Sequence, residues 1–197
     1  MTVVHSEQLD SVADVMDKFQ YPWLIGGGWA IDLALGKVTR EHEDVDICVF
    51  REHTQAVLDH FSDWDVKVAV PGEHRLEVCR HVQDTLPPRF GLHIRKGHQF
   101  IEVLLTDKTA DEVTVIFRRD PSIRMPLSEF VRVDNRGRKY VAREWQLLFK
   151  SKEGRDKDHR DFQTYAPHCT ESQRYWLLSA LKKHNPRSEW ISLLEGY

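Results

Sequence analysis

The chain has 197 residues, 41% apolar and 30% charged, with a net charge of −3. That length can bury a real core as one large domain or two small ones, and the composition excludes a disordered or fibrous chain. No apolar run approaches the ~20 residues of a membrane span; the lack of a strongly basic domain argues against a long nucleic acid as main partner. Ser6 can cap a helix reaching residue 19, with Leu9, Val12, Val15, Met16 and Phe19 on one stripe. Tyr21-Pro22 breaks it, and 23–25 reads as a short buried strand. A second helix over 29–35 ends at Gly36, a helix-stop residue. A strand over 45–50, a helix over 54–61 with Thr54 as its cap, and an alternating strand over 65–70 come next, before a Pro71-Gly72 turn.

Residues 73–88 fit helix, strand or loop equally. Strands resume at 90–95, 100–105 and 113–117, and 130–133 with 140–141 form a small peripheral hairpin around Asn135-Arg136-Gly137. From Arg143 the periodicity turns helical, over 145–149, 156–165 and 171–184, and Pro186 opens a last short helix. This order predicts a mixed α/β part, 1–142, followed by a small helical domain, 143–197. Trp145, Trp176 and Trp190 stand at helical spacing beside leucines and are expected in the core.

The segment 1–10 carries acids rather than a basic stretch followed by an apolar one, so no secretory signal is expected. Cys48, Cys79 and Cys169 are odd in number and lack CxxC spacing, which suggests reduced thiols and a cytoplasmic setting. The charge is uneven. Residues 118–160 hold thirteen Lys/Arg against seven Asp/Glu, leaving the remainder at about −9. Such a segment can face a triphosphate across a cleft or be a solvated, arginine-rich hairpin.

Chemistry concentrates in Leu24-Ile25-Gly26-Gly27-Gly28-Trp29-Ala30-Ile31-Asp32 and the following Thr39-Arg40-Glu41-His42-Glu43-Asp44-Val45-Asp46-Ile47. Asp44 and Asp46, two apart at the start of a strand, project to one face beside the amides that the glycines expose. Adjacent carboxylates repel, and a cation keeps both ionised. Glycines that cradle phosphate next to such a pair point to phosphoryl or nucleotidyl transfer. Other readings fit less well. Ile31 stands where a dinucleotide GxGxxG needs its third glycine, no Gly-Lys-Ser/Thr follows for a P-loop, and the scattered histidines (His5, His42, His53, His60, His74, His81, His93, His98) form no HExxH zinc motif.

The pattern hGG, a short helix, then DhDh resembles the nucleotidyltransferase superfamily whose palm-like sheet is shared with polymerase β. The longer string, with Leu35-Gly36-Lys37, Thr39-Arg40, His42 and Asp44-Val45-Asp46-Ile47, is most similar to the aminoglycoside 2″-adenylyltransferase-like and lincosamide nucleotidyltransferase group. Weaker similarity continues through Ala142–Lys150 and Arg155-Asp156-Lys157-Asp158 with Asp161-Phe162. The resemblance implies an α+β fold: a mixed-sheet palm with flanking helices, then a small helical domain, with the site between them. It implies transfer of a nucleoside monophosphate, AMP from ATP, to a hydroxyl of a small acceptor such as an aminoglycoside.

In that scheme Asp44 and Asp46 bind Mg2+, and a third carboxylate from a neighbouring strand completes the site and deprotonates the acceptor. Glu102 is the candidate, a lone acid in the apolar Phe100-Ile101-Glu102-Val103-Leu104-Leu105 that otherwise reads as an edge-strand glutamate facing water; Asp65 and Glu77 are lesser candidates. Gly27 and Gly28 would let backbone N–H groups approach phosphate, or simply form a tight turn. Arg40 would steady phosphate, unless it pairs with Glu41 or Glu43 at the surface. Lys150 and Lys157 would reach the leaving pyrophosphate, unless they lie on a solvated helix face. His42 would orient Asp44, touch substrate or be structural, and Asp32 would supply a supporting hydrogen bond. The alternatives are an antitoxin-type member acting on a partner protein and a silent member that only binds nucleotide.

Overall fold

The computed structural model describes Val4 and residues 6–196; His5 and the first three residues of the leader reading lie outside the described residues. Helix α1 (Glu7–Met16) is capped by the Ser6 side chain, which accepts from the Leu9 amide, and ends three residues short of the expected Phe19. Strand β1 (Trp23–Ile25) runs into helix α2 (Gly27–Leu35), which stops at Gly36 in the left-handed conformation. Strand β2 (Asp46–Phe50) and helix α3 (Thr54–His60) follow. Thr54 is not the cap: its hydroxyl donates to the Arg51 carbonyl inside a preceding 3-10 turn.

The chain then forms β3 (Asp65–Val70), β4 (Arg75–Val78), β5 (Gly91–Lys96), β6 (Gln99–Lys108), β7 (Thr114–Ile116) and β8 (Arg124–Pro126). The ambiguous 73–88 thus contains an edge strand and a 3-10 turn, Val82–Thr85. A single helical turn, α4 (Leu127–Phe130), leads to β9 (Val131–Val133) and β10 (Lys139–Val141). Helices α5 (Arg143–Glu153), α6 (Asp156–Tyr165), α7 (Glu171–His184) and α8 (Trp190–Glu195) complete the chain. Pro186 sits in a turn four residues before α8 rather than opening it.

The main sheet runs in the order β4-β3-β5-β6-β2-β1-β10-β9 and is mixed: β2 and β6 are parallel, as are β1 and β10. The β9–β10 hairpin lies at the sheet's edge, as expected, but it is joined to the sheet through β10. Tyr140 registers against Ile25, so the hairpin extends the sheet beside the glycine turn. The apolar run of β2 is buried on both faces, as a central strand requires. Ile47 and Val49 join one core with Leu9, Trp29 and Val103, whereas Cys48 and Phe50 join a second core with Trp145, Phe162, Leu177 and Trp190. The second core fills the space between the sheet and the C-terminal helices, so residues on both sides of Ala142 share it. Trp145 and Trp190 are buried there, and Trp176 packs against its edge while its Nε1 donates to the Arg124 carbonyl. The protein is an α+β fold in which side chains on the helix-facing side of β2 and β6 look toward α5 and α6.

Candidate active site

Parallel pairing of β2 with β6 registers Asp46 directly against Glu102. Asp44, two residues upstream of Asp46, points the same way. One carboxylate oxygen from each of Asp44, Asp46 and Glu102 lies within 4.8 Å of the other two. Asp44 is exposed, whereas Asp46 and Glu102 are half-buried at the head of a cleft of about 640 Å³. Burial and the neighbouring charges of Glu102 and Asp44 push the Asp46 carboxyl up to about 7. Burial and the charge of Asp44 raise Glu102 as well. Three acids this close favour protons or a divalent cation, and an all-oxygen donor set suits a hard ion.

The glycine turn is fitted to these carboxylates. The Gly26 amide donates to the Asp46 carbonyl at 2.8 Å. Gly27 has a φ of +58°, and a Cβ there would fall 1.9 Å from Asp46 Oδ2. At Gly28 a Cβ would come within 2.6 Å of the His42 ring and 2.5 Å of an Arg40 nitrogen. Neither position can carry a side chain without moving a cleft residue. His42 packs on Trp29 in a tilted arrangement, with ring centroids 4.3 Å apart, and bonds through Nε2 to Asp32 Oδ2 at 2.7 Å. Asp32 also accepts from the Thr39 hydroxyl. This buried set fixes the segment that delivers Asp44.

Arg40, Lys150 and Lys157 all line the cleft. Arg40 pairs not with the neighbouring glutamate side chains but with Asp161 of α6, through two bonds of 2.8 and 3.0 Å. Lys150 Nζ is 2.9 Å from Asp161 and 3.2 Å from Asp158, and its side chain is 9% exposed, so it does not lie on a solvated face. Lys157 stands 3.7 Å from the exposed Glu43. The lesser acid candidates are engaged elsewhere: Asp65 pairs with Lys67, and Glu77 with Arg75 and Arg89.

Two residues near the acids were not singled out as site residues by the sequence reading. His93 registers against Glu102 across β5–β6, with Nε2 3.8 Å from Glu102 Oε1. Period-two alternation along 91–96 was the available signal, but pairing it with β6 needed the register. Arg118 enters the cleft just beyond β7, over the rings of Phe149 and Phe90. Its only trace in the sequence was the basic excess that begins with it.

A model of the family described as aminoglycoside-2″-adenylyltransferase matches residues 8–164, through the glycine turn, the three acids and the α5–α6 lysines. The chain belongs to this family. Among individual relatives, a lincosamide resistance protein from Staphylococcus haemolyticus is 33% identical over 67 residues, 34% of this chain and 42% of that protein. A 2″-aminoglycoside nucleotidyltransferase from Escherichia coli is 43% identical over 47 residues, 24% of either chain. The chain thus matches less than half the length of these curated relatives. In structure, the family member resembles the lincosamide antibiotic adenylyltransferase LnuA, solved with lincomycin bound, at a TM-score of 0.55 and 22% identity, over 82% of this chain and 96% of that one. It also resembles the solution structure of ANT(2″)-Ia, at a TM-score of 0.58 and 17% identity, over 96% and 94%. These likenesses establish the shared nucleotidyltransferase fold.

Proposed function

We propose that the protein is a magnesium-dependent nucleotidyltransferase that moves AMP from ATP to a hydroxyl of a small antibiotic-like acceptor, releasing pyrophosphate. The observation that carries this reading is the Asp44–Asp46–Glu102 cluster, whose oxygens approach within 4.8 Å beside a glycine turn in a cleft between sheet and helices. Asp44 and Asp46, with Glu102, would hold Mg2+, which when bound offsets the triphosphate charge and stabilises the negative charge that develops during transfer. The depressed acidity of Glu102 suits it to take the proton of the attacking hydroxyl. Gly27 and Gly28 bring the N-terminus of α2 against the cleft, where backbone N–H groups favour phosphate. Arg40 and Lys150, anchored by Asp161, and the more exposed Lys157 supply positive charge for the triphosphate and the departing pyrophosphate.

The acceptor is proposed from the relatives, which carry the names of lincosamide and aminoglycoside enzymes. Use of ATP sets the reaction in the cytoplasm, and no helix of the described residues is long and apolar enough to cross a membrane. The deciding experiment measures pyrophosphate release from ATP and Mg2+ with an acceptor panel of tobramycin, lincomycin and a cell extract. Release with a small molecule supports the reading, and release only with protein in the extract favours the antitoxin-type alternative. Binding of ATP without release under any condition would overturn it in favour of a silent member.

A further inference from the structure

The cations of the cleft are mostly committed to acids. Arg40 and Lys150 share Asp161, Arg155 holds Asp158 at 2.7 Å, Arg119 holds Glu153, and Lys157 faces Glu43. Arg160 is exposed, where water solvates its charge. Arg118 differs from all of these. It is half-buried, and among the described residues no hydrogen bond or ion pair engages its guanidinium. The group lies over two aromatic rings instead, with Cζ 4.7 Å from the centroid of Phe149 and 5.3 Å from that of Phe90.

Stacking on rings orients a guanidinium but leaves its five N–H donors unspent. Those donors open to the cleft, where a ligand oxyanion can replace water as their acceptor. Burial and the adjacent Arg119 pull its pKa down to about 10, so it still carries its charge at neutral pH. Its planar fork matches a phosphate or carboxylate through two parallel bonds.

We propose that Arg118 is an oxyanion-binding residue of the cleft, held open on the Phe90–Phe149 shelf to receive a phosphate of the nucleotide or an acidic group of the acceptor. The inference rests on the nucleotidyl-transfer reading for the identity of the ligand, but not for the chemistry of the site. It also narrows the acceptor. A cation beside Glu102 repels a dense polycation, so if the nucleotide leaves Arg118 free, the acceptor presents an oxyanion there.

The test is titration calorimetry of wild type and Arg118→Gln with three probes: pyrophosphate on the free protein, Mg-ATP, and inorganic phosphate on protein saturated with a non-hydrolysable Mg-ATP analogue. Thermal melts check that the variant is folded, and Arg118→Lys, which keeps charge without the fork, repeats each titration. A loss of at least tenfold in pyrophosphate and Mg-ATP affinity in Arg118→Gln, smaller in Arg118→Lys, assigns the oxyanion to the nucleotide. Unchanged Mg-ATP affinity with phosphate binding to the loaded wild type but not to the loaded variant assigns it to the acceptor. Equal affinities of variant and wild type for all three probes, including a case where only the pH profile of turnover moves, would overturn the proposal and make Arg118 a counter-charge for Glu102. Failure of wild type to bind Mg-ATP would sink the nucleotidyl-transfer reading, while a pyrophosphate affinity that depends on Arg118 would still stand.

Discussion

Gly27 and Asp46 are so closely packed that a single methyl group at the glycine would sit 1.9 Å from the Asp46 carboxylate oxygen. The left-handed backbone at Gly27, φ +58°, adds ~1 kcal/mol or more for any L side chain. Gly27→Ala is therefore expected to displace Asp46, and a displacement of ~1 Å costs roughly a hundredfold in rate. Steady-state kinetics checks this: kcat/KM should fall about that far, while the melting temperature drops by only a few degrees.

Asp46→Asn removes a charge from the crowded trio. Turnover should vanish, and the thermal shift caused by Mg2+ should shrink, yet the metal-free variant should melt no lower than wild type because repulsion with Glu102 and Asp44 is relieved. A variant that turns over ATP at the wild-type rate would remove Asp46 from the site.

The same pair gives a pH dependence with a definite sign. Asp46 is raised in the fold from its ordinary 3.8 to about 7, so the fold binds its proton more tightly than the unfolded chain does. Its stabilising contribution is complete below about pH 4 and is lost as pH rises toward about 7. The metal-free Asp46→Asn variant should thus gain in melting temperature over wild type as pH rises across this window, with the difference closing toward pH 4. Added Mg2+ should stabilise the wild type increasingly over the same range, because the ion competes with that proton.

Glu102→Gln keeps the shape of the side chain and removes the proposed base. A loss of roughly 10²- to 10⁴-fold in kcat, with the KM for ATP changed much less, is the expected signature of lost proton transfer. A matching rise in KM for ATP would instead make Glu102 chiefly a metal or nucleotide ligand.

Asp161 anchors two cleft cations from α6 and is 3% exposed. Asp161→Asn leaves Arg40 without its ion pair and Lys150 with Asp158 alone, and should cost about 3 kcal/mol, read by urea unfolding. Lys157→Ala, which removes only a pair with the exposed Glu43, should change stability by less than about 0.5 kcal/mol while raising the KM for ATP.

The local elements were largely legible in the sequence because each carries its own period or punctuation. The Ser6 cap, the stop at Gly36, the buried β2 run and the alternating β3 strand all follow from near-neighbour chemistry. The aspartate pair was legible for the same reason, since spacing of two on an extended chain decides the shared face. Readings that depended on long-range pairing went astray. The joining of the edge hairpin β9–β10 to the sheet was not legible, because nothing near it in sequence reveals that Tyr140 lies against Ile25. His93 passed as one of several scattered histidines, since its nearness to Glu102 exists only in the β5–β6 register.

By itself, then, the sequence determined the glycine turn, the two aspartates and the order of most strands and helices, all of which are set by interactions within a few residues. Only the tertiary structure decided which cations remain available in the cleft. Asp161 lies 121 positions from Arg40, yet it engages that guanidinium and Lys150 together, while Arg118 is left on its aromatic shelf without an acid. Charge can be counted along a chain, but its neutralisation depends on distance in space, and that is fixed only when the sheet and the helices close around one core.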